Sequence, residues 1–463
     1  MASVVVTSKI EGSGIVHKTA SRRAQMSAQD AHCRLFCNTT PSFNVKRNTN
    51  SMKVSVFTLG CKTNLYESGQ IIAALQAAGH EASHGLKPAD VFVLNTCAVT
   101  GEAEKKSRQL IARARKLNPN CRVVVVGCAA QKNAEQFKDV ANVSFVKGVA
   151  NKVAIVSEIE RAGVDVEQLP SIYSDANLFA SQERTRAFVK IQDGCNNFCS
   201  YCIVPYLRGR SRSRRISDIV EELKGITSAE AVLIGIDISQ FGRDTDESLP
   251  ELFAALKGID TRIRLGSLEA RVVTDELLMS LSEINFCPHF HLSMQSGCDS
   301  VLKRMNRKYT SAEYYNAVQL IRKYFPTAAI TTDVIVGFCG ETDEEFDDTR
   351  QFIEKVEFAD IHVFPYSPRE GTAAYSWQDV DVTTKQARAA VLGELKQKLK
   401  KDFALSSVGK VEEVLCERKR NGYYEGYTKN YLRVYFTGNC KVGEIVRVKI
   451  LEPYLDGSKG EVL

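Results

Sequence analysis

Cys195, Cys199 and Cys202 form a C-x3-C-x2-C run inside GCNNFCSYC, directly after the apolar stretch AFVKIQ. Thiolates are soft ligands that select iron–sulfur clusters or zinc. A closed site of either kind takes four protein ligands. No fourth cysteine or histidine lies close to these three. A four-iron cluster held by three thiolates keeps one iron open to an outside ligand. The competing readings are a zinc knuckle or three buried cysteines. Zinc sites usually come as two paired C-x2-C elements, and this stretch has no second pair.

A chain of 463 residues exceeds one ordinary domain, so two or three are expected. With 44% apolar and 25% charged residues it is globular and buries real cores. The net charge of +6 is compatible with a nucleic-acid partner but does not demand one. No apolar run is long enough to span a membrane. Fourteen cysteines in so long a chain fit a reducing compartment with metal sites better than a secreted disulfide scaffold.

Residues 1–51 carry seven Lys/Arg against two acidic residues, Glu11 and Asp30, and no sustained periodicity. They read as a disordered extension, a weak organellar presequence or an upstream start before Met52. Cys33 and Cys37 in this segment read as incidental. From Met52 strands and helices alternate: strands at 54–60, 90–96, 122–127 and 143–148, and helices at 65–78 and 102–117. Such alternation argues for a doubly wound parallel sheet. Cys61 follows the first strand, Cys97 the second and Cys128 the third. The carboxyl ends of parallel strands share one edge, where ligands bind. Any one of these could be a structural cysteine. Three at equivalent positions predict a second three-thiolate cluster. Cys121 starts a strand, on the opposite edge, and is excluded.

A polar linker over 161–184 precedes a second domain. Its strands are expected at 186–192, 230–237, 261–268, 289–295, 330–338 and 360–367, with helices between them. This pattern predicts a partial (β/α)6 barrel, whose chemistry sits at the carboxyl ends of strands. Cys195, Asp237, Ser267, Glu269, Gln295 and Ser367 fall there, although Ser and Asp more often cap helices or satisfy loops. After a Lys/Arg-rich helix at 384–404, short strands and glycine turns predict a small β-barrel. Tyr427, Lys429, Tyr431, Arg433 and Tyr435 interleave aromatics with cations. That suits either an RNA-stacking surface or ordinary cross-strand pairs.

From Met52 onward the chain resembles the radical SAM tRNA methylthiotransferases. The matching motifs are LGCKTN (59–64), NTCAVT (95–100), VGCAAQ (126–131), GCNNFCSYC (194–202), RGRSRSR (208–214), RIRLGSLE (262–269), HLSMQSG (291–297), LKRMNRKYT (302–310), DVIVGFCGET (333–342), HVFPYSPREGT (362–372) and GYTKNYLRV (426–434). Cys339 stands where the family usually has proline. The resemblance implies a methylthiotransferase domain over 52–160, a radical SAM domain over 185–402 and a TRAM RNA-binding domain over 403–463. It implies that Cys195, Cys199 and Cys202 hold the [4Fe–4S] cluster that binds S-adenosylmethionine, with Tyr201, Asp237, Ser267, Glu269 and Gln295 around that cofactor. Cys61, Cys97 and Cys128 would hold an auxiliary [4Fe–4S] cluster. It further implies that a deoxyadenosyl radical takes hydrogen from C2 of an adenine, and that a second S-adenosylmethionine supplies the methyl of the incoming methylthio group.

LGCKTN with NTCAVT resembles the branch acting on N6-threonylcarbamoyladenosine at tRNA position 37, in the anticodon loop. The isopentenyladenosine branch tends to have YGCQMN, and the ribosomal-protein modifiers LGCPKN. The end GSKGEVL lacks the hydrophobic anchor usual in the eukaryotic form, so a soluble, cytoplasmic protein of bacterial type with no membrane partner is expected. Flavodoxin or ferredoxin would supply electrons. The arginines of 208–215, Arg210 and Arg212 among them, are expected to contact tRNA phosphates, with a solvated basic turn as the plain alternative. Cations near the site, Arg304, Arg307, Lys308 and Arg369, are candidates for a carboxylate-bearing substrate. The competing class is a nucleic-acid-binding protein with structural or redox-sensing clusters, which would form no 5′-deoxyadenosine. Removing residues 1–51 is expected to leave iron content, melting temperature and turnover unchanged. A large loss of any of the three would assign that segment a folded role.

Overall fold

The computed structural model describes residues 51–98, 101–166, 168–173 and 185–463, without the side chains of 101–104. The reading of residues 1–50, with Cys33 and Cys37, lies outside the described residues, as does half of the linker before the second domain.

The first sheet has the order β2-β1-β3-β4-β5-β6 and is parallel throughout. Its strands are β1 Lys53–Thr58, β2 Glu81–His84, β3 Val91–Thr96, β4 Arg122–Gly127, β5 Val143–Lys147 and β6 Gly163–Asp165. VFVLNT of β3 is buried at every position and RVVVVG of β4 at all but its first, as expected of central strands covered on both faces. The short edge strands β2 and β6 carry too little apolar pattern to be read from sequence. The strand order reverses between β1 and β3, the point at which such sheets bind ligands. The helix Lys62–Ala77 buries polar Asn64, Glu67, Ser68 and Gln70 along with Ile71, Ile72 and Leu75. It is covered on both faces because the second domain packs on its polar side.

The second domain opens with β7 Arg186–Lys190, followed by a two-residue pair, β8 Gln192–Asp193 and β9 Arg212–Ser213. Its remaining strands are β10 Glu230–Ile234, β11 Arg262–Leu265, β12 Ser267–Leu268, β13 His289–Leu292, β14 Ala329–Val336 and β15 Asp360–Pro365. They form the sheets β11-β10-β7 and β12-β13-β14-β15, all parallel. Only Gly266 separates β11 from β12, and its N–H donates to Leu233 O at 2.8 Å. The six-strand open barrel expected from sequence is therefore present. Thr310 with Glu313 and Thr342 with Glu345 form capping boxes that start two of its outer helices.

The helix Val382–Leu405 leads into β16 Val411–Arg420, β17 Tyr423–Thr428, β18 Arg433–Thr437, β19 Ile445–Tyr454 and β20 Gly457–Val462. These close as β16-β17-β18-β20-β19 around Val414, Cys416, Val434, Phe436, Val448 and Ile450.

The first two domains meet through a buried ionic cluster. Arg208, 1% exposed, donates to Glu67 at 2.8 and 3.1 Å, to Asp193 at 2.9 Å and to Asn64 Oδ1 at 2.6 Å. Lys190 reaches Glu67 at 3.1 Å and Asp193 at 3.0 Å, and Lys152 also pairs with Glu67. Burial alone would raise both carboxyls, but Arg208 with these lysines pulls Glu67 and Asp193 well below the usual carboxylate range. The stability they contribute is complete above the unfolded carboxylate pKa of about 4 and falls as acid approaches the lower folded values. Arg208→Met leaves Glu67 and Asp193 buried without their main partner. The expected cost is about 3–5 kcal/mol, seen in denaturant titration at neutral pH and smaller in acid, where the carboxyls protonate. An equal cost at both pH values would show that packing, not charge, sets it.

Candidate active site

The turn after β1 needs glycine at residue 60, where φ is +95°. A Cβ there would lie 2.6 Å from Cys97 Cβ and 2.7 Å from its Sγ, so the Cys97 side chain lies directly against the Cys61 turn. Asn64 ties the two turns together, donating to Leu59 O and Thr96 O at 2.9 Å each. Thr96 Oγ1 donates to Val126 O at 2.7 Å and accepts from Ala129 N at 3.2 Å, drawing in the turn that carries Cys128. Cys61, Cys97 and Cys128 therefore stand at the carboxyl ends of β1, β3 and β4, astride the strand-order reversal. Cys121 is buried at the opposite edge. The Arg208 guanidinium lies near enough to Cys128 to interact with it electrostatically. Three soft ligands beside a fixed cation suit an anionic iron–sulfur group.

The second cysteine set occupies the loop after β8. Cys195 N donates to Gly209 O at 3.1 Å and Cys202 N to Cys199 O at 2.9 Å. Ser200 N donates to Met305 O at 3.1 Å, and Asn306 Nδ2 to Phe198 O at 2.9 Å. Asp237 and the Gln240 amide each approach Cys195 Sγ at 3.6 Å, and Arg307 reaches Cys199 Sγ at 3.3 Å. Asn197 donates to Asp237 at 2.8 Å and to Glu269 at 2.9 Å. Burial, then the Cys199 thiol, pushes Cys202 up to about 12, and burial with Asp237 raises Cys195 further. Loading iron here displaces bound protons, so cluster uptake is pH-dependent.

A cavity of about 1010 Å³ runs inside the open barrel. Lys62, Ser267, His289, His291, Asp333 and His362 line it, and Tyr427, Tyr431 and Arg433 bound it from the small β-barrel. His289 and His291 both bond Thr331 Oγ1, at 2.9 and 3.0 Å. Burial holds His289 well below its ordinary pKa and lowers His362, which favours the neutral imidazoles. Among the described residues, ligand atoms of His291, Asp333 and His362 come within 4.8 Å of one another.

The radical SAM superfamily pattern matches residues 189–353, and uncharacterized protein family UPF0004 matches residues 53–148. The threonylcarbamoyladenosine tRNA methylthiotransferase MtaB of Bacillus subtilis is 38% identical over 87% of this chain and 95% of its own. The Thermotoga maritima protein of the same name is 36% identical over 86% and 94%. The chain belongs to the radical SAM tRNA methylthiotransferases. A tRNA-2-methylthio-N(6)-dimethylallyladenosine synthase of Dictyoglomus thermophilum, another relative, is 34% identical over 89% of this chain and 98% of its own. Among solved structures, the radical S-adenosylmethionine methyltransferase TsrM of Kitasatospora setae, with cobalamin and a [4Fe-4S] cluster bound, superposes with TM-score 0.53. It shares 12% identity over 81% of each chain, a likeness of fold alone. The methylthiotransferase uses two [4Fe–4S] clusters and S-adenosylmethionine, and the two cysteine sets fit that requirement in number and placement. Among the described residues no helix is long and apolar enough to cross a membrane.

Several expectations for this methylthiotransferase need correction. Arg212 is 3% exposed and donates to Arg208 O and Arg210 O at 2.8 Å each, so it cannot meet phosphate. Arg208 and Arg214 are buried as well, Arg214 on Glu222. Only Arg210 and Arg215 of the run are exposed, and Arg210 lies 4.5 Å over the Phe198 ring. Tyr431 stacks on His289 at 4.4 Å and on Tyr427 at 4.7 Å, facing the barrel. Arg433 pairs with Glu425 at 2.6 Å and with Asp456 at 2.7 Å, and Lys429 lies 3.6 Å from Glu413. The interleaved motif thus makes an inter-domain contact rather than an open stacking platform. Arg304 is held by Glu345 at 2.7 and 2.6 Å and Arg307 by Glu269 at 3.0 Å, so neither is free for substrate.

Asp237 stands beside Cys195, and Asn197 links it to Glu269. Ser267 lines the cavity, and Gln295 sits in a left-handed bend, φ +74°, bridged to β14. Tyr201 packs edge-on against Phe338 at 6.3 Å. Asn197 and Gln240 went unread because an amide in a loop has no sequence signature. Replacing Cys195, Cys199 and Cys202 with Ala should leave about half of the reconstituted iron and abolish 5′-deoxyadenosine formation. Replacing Cys61, Cys97 and Cys128 should leave about half of the iron, keep deoxyadenosine and stop methylthiolation. Full iron content in the second variant would overturn the strand-edge site.

Proposed function

We propose that this enzyme places a methylthio group on C2 of N6-threonylcarbamoyladenosine at position 37 of tRNA. One S-adenosylmethionine serves as radical source and another as methyl donor, with flavodoxin or ferredoxin as electron donor. The observation that carries the substrate is the polar, cation-bearing lining of the barrel cavity. A carboxylate-bearing threonylcarbamoyl group finds partners there, whereas an isopentenyl group would leave Lys62, His291 and Asp333 facing hydrocarbon. The names of the Bacillus and Thermotoga relatives agree with this reading. The Dictyoglomus relative is of similar identity but acts on the other base, so overall similarity alone does not decide it.

The clusters, when bound, supply the radical from S-adenosylmethionine at one site and hold the transferable sulfur at the other. Cys195, Cys199 and Cys202 anchor the first, and Cys61, Cys97 and Cys128 the second. Asp237, Glu269, Ser267 and Gln295, at strand ends, would orient S-adenosylmethionine, with Tyr201 fixing the loop. Arg307 and Asn197 hold the two carboxylates in place. The buried ionic cluster, which ties the helix after Cys61 to the loop before Cys195, supports a fixed spacing of the two thiol sets.

The discriminating assay offers matched tRNAs carrying threonylcarbamoyl- or isopentenyl-adenosine and weighs the nucleoside products. Turnover on the threonylcarbamoyl tRNA is expected, with one deoxyadenosine and one S-adenosylhomocysteine formed per product. Turnover only on the isopentenyl tRNA would sink the substrate, and absence of S-adenosylhomocysteine would sink the two-donor scheme.

A further inference from the structure

Lys62 begins the helix Lys62–Ala77, one residue after Cys61, and its side chain enters the barrel cavity. The other lysines and arginines lining that cavity are paired. Arg186 meets Glu230 at 3.1 Å and Glu417 at 2.8 Å, and Arg264 meets Glu230 at 2.7 Å. Arg418 and Arg433 share Glu425, and Lys400 lies 3.8 Å from Asp360. Among the described residues Lys62 has no hydrogen bond and no carboxylate within ion-pair distance. Asp333, the carboxylate that acts on it electrostatically, lies 3.4 Å from His291. With His289 and His362 favouring the neutral form, Lys62 is, among the described residues, the one unpaired lysine or arginine in the cavity lining. A cation left unpaired in a protein cavity is costly unless an anion arrives.

We infer that Lys62 is the specificity residue that binds the carboxylate of the N6 substituent. This rests on the substrate reading above. The urea N–H of a threonylcarbamoyl group can close a six-membered hydrogen-bonded ring to N1 of adenine. That fold carries the carboxylate to the base edge bearing C2, the atom that must approach the Cys61 cluster. The residue beside Cys61 is therefore the one placed to meet it. The related motif YGCQMN has glutamine, a neutral residue, at this position.

Binding to reconstituted protein without S-adenosylmethionine tests this apart from chemistry. The probes are matched anticodon stem-loop RNAs whose A37 carries threonylcarbamoyl, its neutral carboxamide, or isopentenyl. Iron per chain is measured in each variant, so that loss of the neighbouring cluster is seen directly. Lys62→Met should weaken the carboxylate RNA about tenfold or more and change the other two by less than about twofold, with Lys62→Arg retaining most of the affinity. Equal loss on all three RNAs would make Lys62 structural and overturn the inference. So would a wild-type preference for the carboxylate RNA that survives in Lys62→Met, which leaves the substrate reading intact. A wild type that does not favour the carboxylate RNA over the isopentenyl one would overturn the substrate reading and this inference with it.

Discussion

Arg208 ties the helix Lys62–Ala77 of the first domain to β8 of the second. Taking a guanidinium out of water costs several kcal/mol, and only close acceptors offset that. Here Glu67, Asp193 and Asn64 supply them, two from the first domain and one from the second. The arrangement explains the odd composition of the helix Lys62–Ala77, whose polar residues would normally face solvent. It also sets the chemistry. The cysteines of the first domain lie at the carboxyl edge of β1, β3 and β4, and those of the second follow β8. Both cysteine sets thus ride on an interface held by a buried, directional ion cluster.

How far the sequence could be read follows from where each signal lives. Central strands such as β3 and β4 announce themselves as apolar runs, and both cysteine sets could be placed because parallel strands deliver their loops to one edge. The arginine run failed for the opposite reason. Five arginines in eight residues look like a phosphate surface, but Arg208 finds Glu67 across 141 positions of sequence and Asp193 across 15. Nothing in the pattern of 208–215 marks that partner. The motif around Tyr431 failed likewise: alternation of tyrosine and cation is the same whether the face meets RNA or His289. Lys62 belongs to a conspicuous motif, yet only the pairing of every other lysine and arginine around the cavity singles it out.

The small β-barrel is fixed to the start of the large barrel's strands. Arg264 donates to Thr428 O at 3.3 Å and Lys429 O at 3.1 Å, Arg262 meets Glu413 at 2.8 Å, and Asn430 donates to Thr327 O at 3.0 Å. Strand starts are ordinarily where a barrel spends residues on stability rather than chemistry. Here they close the floor of the cavity that Lys62, His291 and Asp333 line, so the small barrel sets the depth of that cavity. The stack of His289, Tyr431 and Tyr427, roofed by the Arg186 and Arg264 guanidiniums, is the rigid part of that floor. Aromatic rings packed this way have little freedom left to splay out onto RNA. The inner face of the small barrel is thus taken up by its contact with the large one.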